Sequence, residues 1–449
     1  MLRRDFLGAG AAAIYDVTRY GARGDGVRND RIPLQRAIDE CARRGGGTVW
    51  LPPGRYKSGS LLLKSGVALW LDHGATLVAS ADPRDYEIRG GERTPRDGWG
   101  SVFLLAENAE HVALGGHGVI QGAGLAQPRA AGQPLAPFRP RLVAFEHCRD
   151  VVVDGITLRE ADRWTLHLYH SDSVRITRLR ILARYDVVNT DGIDIDGCRN
   201  VVVSGCEIVC GDDCIVIKTT NYLGDPRPVE NVSVTNCVLS TRAAGFKVGT
   251  ETHADISNVS FSNSVVYGAG PVRPNSVISL AMVDGARLSS VSVTNVTGRH
   301  VLAPVFVRLG DRSRTSGQAA PGRLEQVIIQ NLVVEDATQA CVISGIPGAC
   351  VRGITLSDLR IQTSVVSEPW PAERRVPERE SAYPRPDMFG PLPALGLYAR
   401  HVRGLVVRNF DLEALTSAAL PLLVTEDVEA LDAQGLRMNG APVAAKTVG

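Results

Sequence analysis

The stretch that decides the fold runs Asn189-Thr190-Asp191-Gly192-Ile193-Asp194-Ile195-Asp196, followed 22 positions after Asn189 by Gly211-Asp212-Asp213-Cys214-Ile215-Val216-Ile217-Lys218. The offset that carries Asp191 onto Asp213 also carries Ile193 onto Ile215, Ile195 onto Ile217 and Asp196 onto Lys218. Two short strands with inward isoleucines, each entered through an acidic corner, read as neighbouring coils of a solenoid. Alternation then sends Asp194, Asp196, Val216 and Lys218 to the outer face. Stacked strands lie about 4.8 Å apart, so carboxylates one coil apart are expected to be neighbours competing for protons.

The pattern extends along most of the chain. A polar or glycine residue followed by alternating apolar ones begins at His111, Asp150, Ser173, Asn200, Asn231, Asn258, Ser290, Gln326, Gly353 and Gly404. The unequal intervals fit coils that carry loops of variable length at one corner. Ahead of the coils, Leu34, Ile38 and Cys41 share one helical face, with Asn29 or Asp30 as N-cap and Gly45-Gly46-Gly47 as the stop. The expectation is an all-β parallel β-helix with one N-terminal capping α-helix, which would cover the open end of the stack. It forms a single domain over 15–449, with groove loops near 121–140 and 366–393.

Composition agrees. Forty-six glycines and only 5% aromatic residues in a 449-residue chain suit many turns around a core of small and β-branched side chains. A net charge of +1 gives no footprint for nucleic acid. Nine cysteines without zinc-like spacing are expected to be mostly buried thiols. No segment approaches the length of a membrane span. Residues 1–14, with Arg3-Arg4 before a short apolar run, resemble a twin-arginine export signal, which implies a bacterial protein exported to the periplasm or beyond.

Extending the register places His167, Asp194, Val216, Lys247, Ser279 and Phe306 in one outward ladder, and Tyr169, Asp196, Lys218, Gly249, Ala281 and Arg308 in the next. These are the expected groove residues. Carboxylates in contact divide into a protonated acid and an ionised base, which suits glycosidic hydrolysis. The same aspartates suit a calcium site, as in a calcium-dependent polysaccharide lyase, or a purely structural corner in a non-catalytic carbohydrate-binding β-helix.

At these residues the chain resembles glycoside hydrolase family 28, the polygalacturonase family, in a bacterial-type form. The likeness rests on Trp164-Thr165-Leu166-His167, Asn189-Thr190-Asp191-Gly192 and Gly211-Asp212-Asp213-Cys214, with the Tyr15–Asp30 opening. It implies a right-handed β-helix that hydrolyses a pectic polysaccharide with inversion, without metal or cofactor, and as a monomer. Asp212 is then the general acid, with Asp191 and Asp213 activating water. Asn189, His167, Lys218, Arg242, Lys247 and Arg308 are the candidate substrate-binding residues. The family's Gly-His-Gly and Arg-Ile-Lys are replaced by Arg242-Ala243-Ala244-Gly245-Phe246-Lys247 and Ile278-Ser279-Leu280-Ala281. Those changes imply a rhamnogalacturonan, a substituted galacturonan or an exo-acting mode, with Lys247, Arg242 or Arg308 taking over recognition of a uronate carboxylate, or with Lys247, close to the acidic corner, stabilising an ionised Asp191 or Asp213 instead.

Overall fold

The structure, a computed structural model, describes residues 13–86, 101–126, 138–312, 321–365, 369–416 and 419–448. The export-like segment, apart from its last two residues, and most of the 121–140 loop lie outside them. The chain divides into two compact units, Met1–Asp212 and Asp213–Gly449. Both are built from short parallel strands stacked coil on coil, and the fold is a right-handed parallel β-helix.

In the first unit, Leu61, Leu104, Val143, Leu166 and Ile193 pair in succession through five strands. All five are buried, and they stack apolar side chains along the coil axis. A second internal stack runs through Val112, Val151, Val174 and Val201. The second unit repeats the device with Val232, Val259, Val291, Val327, Ile354 and Leu405.

The residue that begins each repeat has a conformational reason to be polar or glycine. His111, Asp150, Ser173, Asn200, Asn231, Asn258, Ser290, Gln326, Gly353 and Gly404 all sit at φ between 54° and 75°, in the left-handed region. One residue there turns the chain without interrupting the ladder, and residues with short polar side chains or none tolerate it best. A second left-handed corner carries asparagines that bond from coil to coil. Asn331 donates to Asn295 at 2.7 Å, and Asn295 donates to Asn263 at 3.0 Å.

The helix Arg31–Arg43 buries Pro33, Leu34, Ala37, Ile38 and Cys41 on one face. Of the two expected caps, Asn29 is the one that bonds to the helix start. Asp30 makes no capping bond, because its carboxylate accepts the N–H groups of Arg23 and Gly24 at 3.0 Å each and so closes the glycine-rich turn before the helix. Asn29 accepts the Arg31 N–H instead, at 3.0 Å. The cysteines are free thiols, buried except for the half-buried Cys350. Among the described residues, no helix is long and apolar enough to cross a membrane.

Candidate active site

In the first unit the acidic corner is built around Asn189, held at φ 59°. That turn aims its N–H at Asp212 Oδ2, 2.9 Å away. Its side-chain oxygen accepts from Arg139 at 3.0 Å, and Arg139 also donates to the Val188 carbonyl at 3.1 Å. Thr190 ties the two segments together, donating to the Val187 carbonyl at 2.9 Å and accepting the Gly211 N–H at 3.0 Å. Gly211 is required by this closeness, since a Cβ there would stand 2.0 Å from the Val187 carbonyl oxygen. The result brings carboxylate oxygens of Asp191 and Asp212 within 4.8 Å of one another. Asp191 is buried and Asp212 half-buried, so the pair is unequally exposed to solvent.

The second unit begins with Asp213, next in the chain after Asp212. Both of its oxygens are held. Oδ1 accepts the Ala244 N–H at 3.0 Å, and Oδ2 accepts the Lys247 ammonium at 2.7 Å. An ammonium at that distance occupies ground a divalent cation would need, which weighs against calcium ligation by Asp213.

The expected ladders are paired as read from the sequence: His167 with Asp194 and Tyr169 with Asp196 in the first unit, then Val216–Lys247–Ser279–Phe306 and Ala281–Arg308 in the second. One step differs. After Ile217 pairs with Val248, the partner strand bulges so that Thr219 meets Thr252, and Lys218 does not pair with Gly249.

The larger correction is exposure: the outward face is covered at most of these positions. His167 has no exposed surface, and Lys218, Lys247 and Arg308 are buried. His167 Nδ1 accepts from Arg141 at 2.5 Å, which leaves its Nε2–H directed at Asp196, 3.4 Å away. Burial pushes the Arg141 pKa down, opposed by its partner Glu146. Arg308 donates to Ser344 Oγ and the Gly345 carbonyl, each at 2.7 Å, and to the Glu378 carbonyl at 2.9 Å. Burial, reinforced by Arg400, lowers its pKa to about 10. Arg308 is therefore a strap holding the 376–380 segment rather than a cation open to a ligand. Arg242 is half-buried, two residues before the Ala244 N–H that holds Asp213, and makes no ion pair among the described residues.

Part of the cover comes from the segment expected as a loop near 366–393. Of it, residues 369–393 are described, and Val376, Phe389 and Leu392 join Phe306, Val342, Tyr398 and Val424 in one apolar cluster. This segment delivers Tyr383, whose hydroxyl receives bonds from Thr250 at 3.0 Å and Lys247 at 3.5 Å. Nothing in the sequence near Lys247 points to a residue 136 positions away. Glu251 is also absent from the sequence reading, although it stands at the bulge beside the ladder. Burial opposes its ionisation, but Lys218, its own backbone N–H, Lys247 and Arg312 together hold its carboxyl below the usual glutamate range.

The architecture is thus a parallel β-helix with two neighbouring, unequally exposed carboxylates at a strand corner. Comparison with known proteins gives the narrower assignment. Residues 87–368 match Glycosyl hydrolases family 28, and the chain belongs to that family of glycoside hydrolases. Residues 14–81 match the Rhamnogalacturonase A/epimerase, pectate lyase-like family. A probable polygalacturonase of Vitis vinifera is 26% identical over 373 residues, covering 78% of this chain and 75% of that protein. An endo-polygalacturonase of Pectobacterium carotovorum subsp. carotovorum is 26% identical over 293 residues, covering 61% of this chain and 71% of its own length. The family 28 exopolygalacturonase of Yersinia enterocolitica shares the fold at a TM-score of 0.71 with 18% identity, covering 95% of this chain and 80% of that one.

Proposed function

We propose that this chain hydrolyses α-glycosidic bonds in a pectic polysaccharide by general acid and base catalysis, with inversion. The observation that carries the acid–base part of the reading is the Asp191–Asp212 pair, oxygens within 4.8 Å; by distance alone so close a pair would suit retention, and inversion is proposed from the family resemblance. Asp212, half-buried and held by the Asn189 N–H, is the proposed general acid towards the leaving oxygen. Asp191 and Asp213 are the proposed groups that orient and deprotonate the attacking water. No metal or cofactor takes part in this scheme.

Relatives named as endo- and exo-polygalacturonases make galacturonan the first substrate to test. A rhamnogalacturonan is the second, favoured by one observation. The places where the family carries Arg-Ile-Lys hold small, buried Ser279 and Ala281, which offer no cation to a uronate. We also propose that the protein is exported and acts as a monomer, with Arg3-Arg4 as the export signal. Relatives occur in plants and bacteria alike, and the twin-arginine-like start favours a bacterial source.

The deciding assay incubates the protein with homogalacturonan and with rhamnogalacturonan, with and without chelator, and follows reducing ends and ultraviolet absorbance. Reducing ends without unsaturated product, unchanged by chelator, are expected. Chelator-sensitive absorbance would make the chain a lyase. No turnover on either polymer would favour a carbohydrate-binding role. The anomeric form of the first product, read by NMR, tests inversion.

A further inference from the structure

We propose that Lys247 is a positioning residue for Asp213 and not a receptor for a substrate carboxylate. The inference rests on the hydrolase reading above and deepens it.

Lys247 lies in the strand Ala244–Thr252, between Phe246 and Val248, both fully buried on the inner side. Alternation therefore turns its side chain to the outer face, where its ladder neighbours are Val216 and Ser279. Neither neighbour can neutralise an ammonium. With only 8% of the side chain exposed, water cannot fully solvate it either, so the charge needs a fixed partner. Asp213, itself 5% exposed, supplies one at 2.7 Å.

The geometry constrains Asp213 as much as it satisfies Lys247. The Ala244 N–H at Oδ1 and the ammonium at Oδ2 grip the carboxylate at both ends, so it cannot rotate about its last bond without breaking one of them. Ala244 and Lys247 belong to the same strand, which makes the grip a rigid element. Tyr383 closes the other side. Its hydroxyl is 3.5 Å from Lys247 Nζ and its ring centroid 5.7 Å from it, and Thr250 fixes that hydroxyl at 3.0 Å. A uronate seeking this ammonium would have to displace a carboxylate already desolvated and tethered beside it. Removing one member of such a buried pair leaves the other charge uncompensated, so the effect of losing Lys247 should pass through Asp213.

The test is a double-mutant cycle with Lys247→Met, Asp213→Asn and the combined variant. Each is assayed on polygalacturonate and on its methyl ester, or on rhamnogalacturonan if that proves the better substrate. For Lys247→Met we expect kcat to fall about 10- to 100-fold on each substrate, with KM changing less than about threefold. The combined variant should be no slower than Asp213→Asn alone, within about threefold, because the carboxylate that the lysine positions for catalysis is already gone. Removing both charges together also guards the cycle against misfolding of the single variant. In Lys247→Ala, added ethylammonium should restore part of kcat, which a merely structural role would not allow. A KM increase confined to the acidic substrate, or losses that multiply in the combined variant, would overturn the inference and leave the hydrolase reading standing. A wild-type protein that cleaves no pectic chain would overturn both.

Discussion

Gly211→Ala is the most informative single change in the acidic corner, because it adds one methyl group and removes no functional atom. The added Cβ would meet the Val187 carbonyl oxygen at 2.0 Å, the Arg184 carbonyl oxygen at 2.6 Å and Thr190 Oγ1 at 2.9 Å. Contacts of real Cβ atoms essentially never fall below 3.0 Å, so the nearest oxygen must retreat by at least 3.0 − 2.0 = 1.0 Å. Val187 lies two residues before Asn189, whose N–H holds Asp212 Oδ2 at 2.9 Å. Thr190, the third contact, lies directly before Asp191. The displacement therefore acts on the spacing between the proposed acid and its partner. A misplacement of about 1 Å in a catalytic constellation costs on the order of 10²-fold in rate. We expect kcat/KM to fall about 100-fold, measured as initial reducing-end release on the preferred substrate. Circular dichroism should retain the strand signature, since the stacked valine and isoleucine ladders lie elsewhere. Wild-type kcat/KM from a folded Gly211→Ala protein would refute the claim that this approach sets the Asp191–Asp212 geometry.

Three further outcomes follow from the same structure. Asp212→Asn should lower kcat by about 10²–10⁴-fold with little change in KM, and wild-type turnover would remove Asp212 from the acid role. Asn295→Ala should destabilise the second unit by about 1–2 kcal/mol in denaturant titration, because alanine at φ 55° is strained and two asparagine-ladder bonds are lost. Asn295→Gly, which tolerates the angle, should cost less. Glu40, bonded to Arg43 and Arg44, has its pKa lowered to about 2 by those partners. A depressed carboxyl pKa contributes stability above the unfolded value, near 4.5, that is lost as pH falls towards about 2. Glu40→Gln should flatten that part of the acid-stability profile, modestly because the group is open to solvent and salt.

What the sequence determined by itself is everything with a short physical period. Alternating apolar residues, as in Ile193 and Ile195 or Phe246 and Val248, name the inner face of each strand. Placing the apolar pairs of successive coils side by side yields the pairing register, because a one-residue slip would bury the wrong face. The polar residue that starts each repeat marks the left-handed turn, and the apolar face of Arg31–Arg43 is readable from its spacing of three and four. The aspartates at positions 191, 212 and 213 stand out as candidates for the same local reason.

Only the tertiary structure decided what surrounds them. Asn29 rather than Asp30 meets the helix N-terminus because Asp30 closes a turn seven residues upstream. The bulge after Val248 has no signature in the alternation, so Lys218 and Gly249 do not stand opposite each other as simple counting would place them. The outward ladders are directed as alternation requires, yet direction is not exposure. Tyr383 and the carbonyls of Glu378 and Arg379 reach Lys247 and Arg308 from a segment about 70 to 136 residues away along the chain. A buried cation must find a partner, and which one it finds depends on long-range packing that no local period encodes. That is why Arg308, which reads from the sequence as a cation facing a groove, becomes a strap, and why Lys247, for which the sequence leaves both a substrate carboxylate and an aspartate open, lies on Asp213.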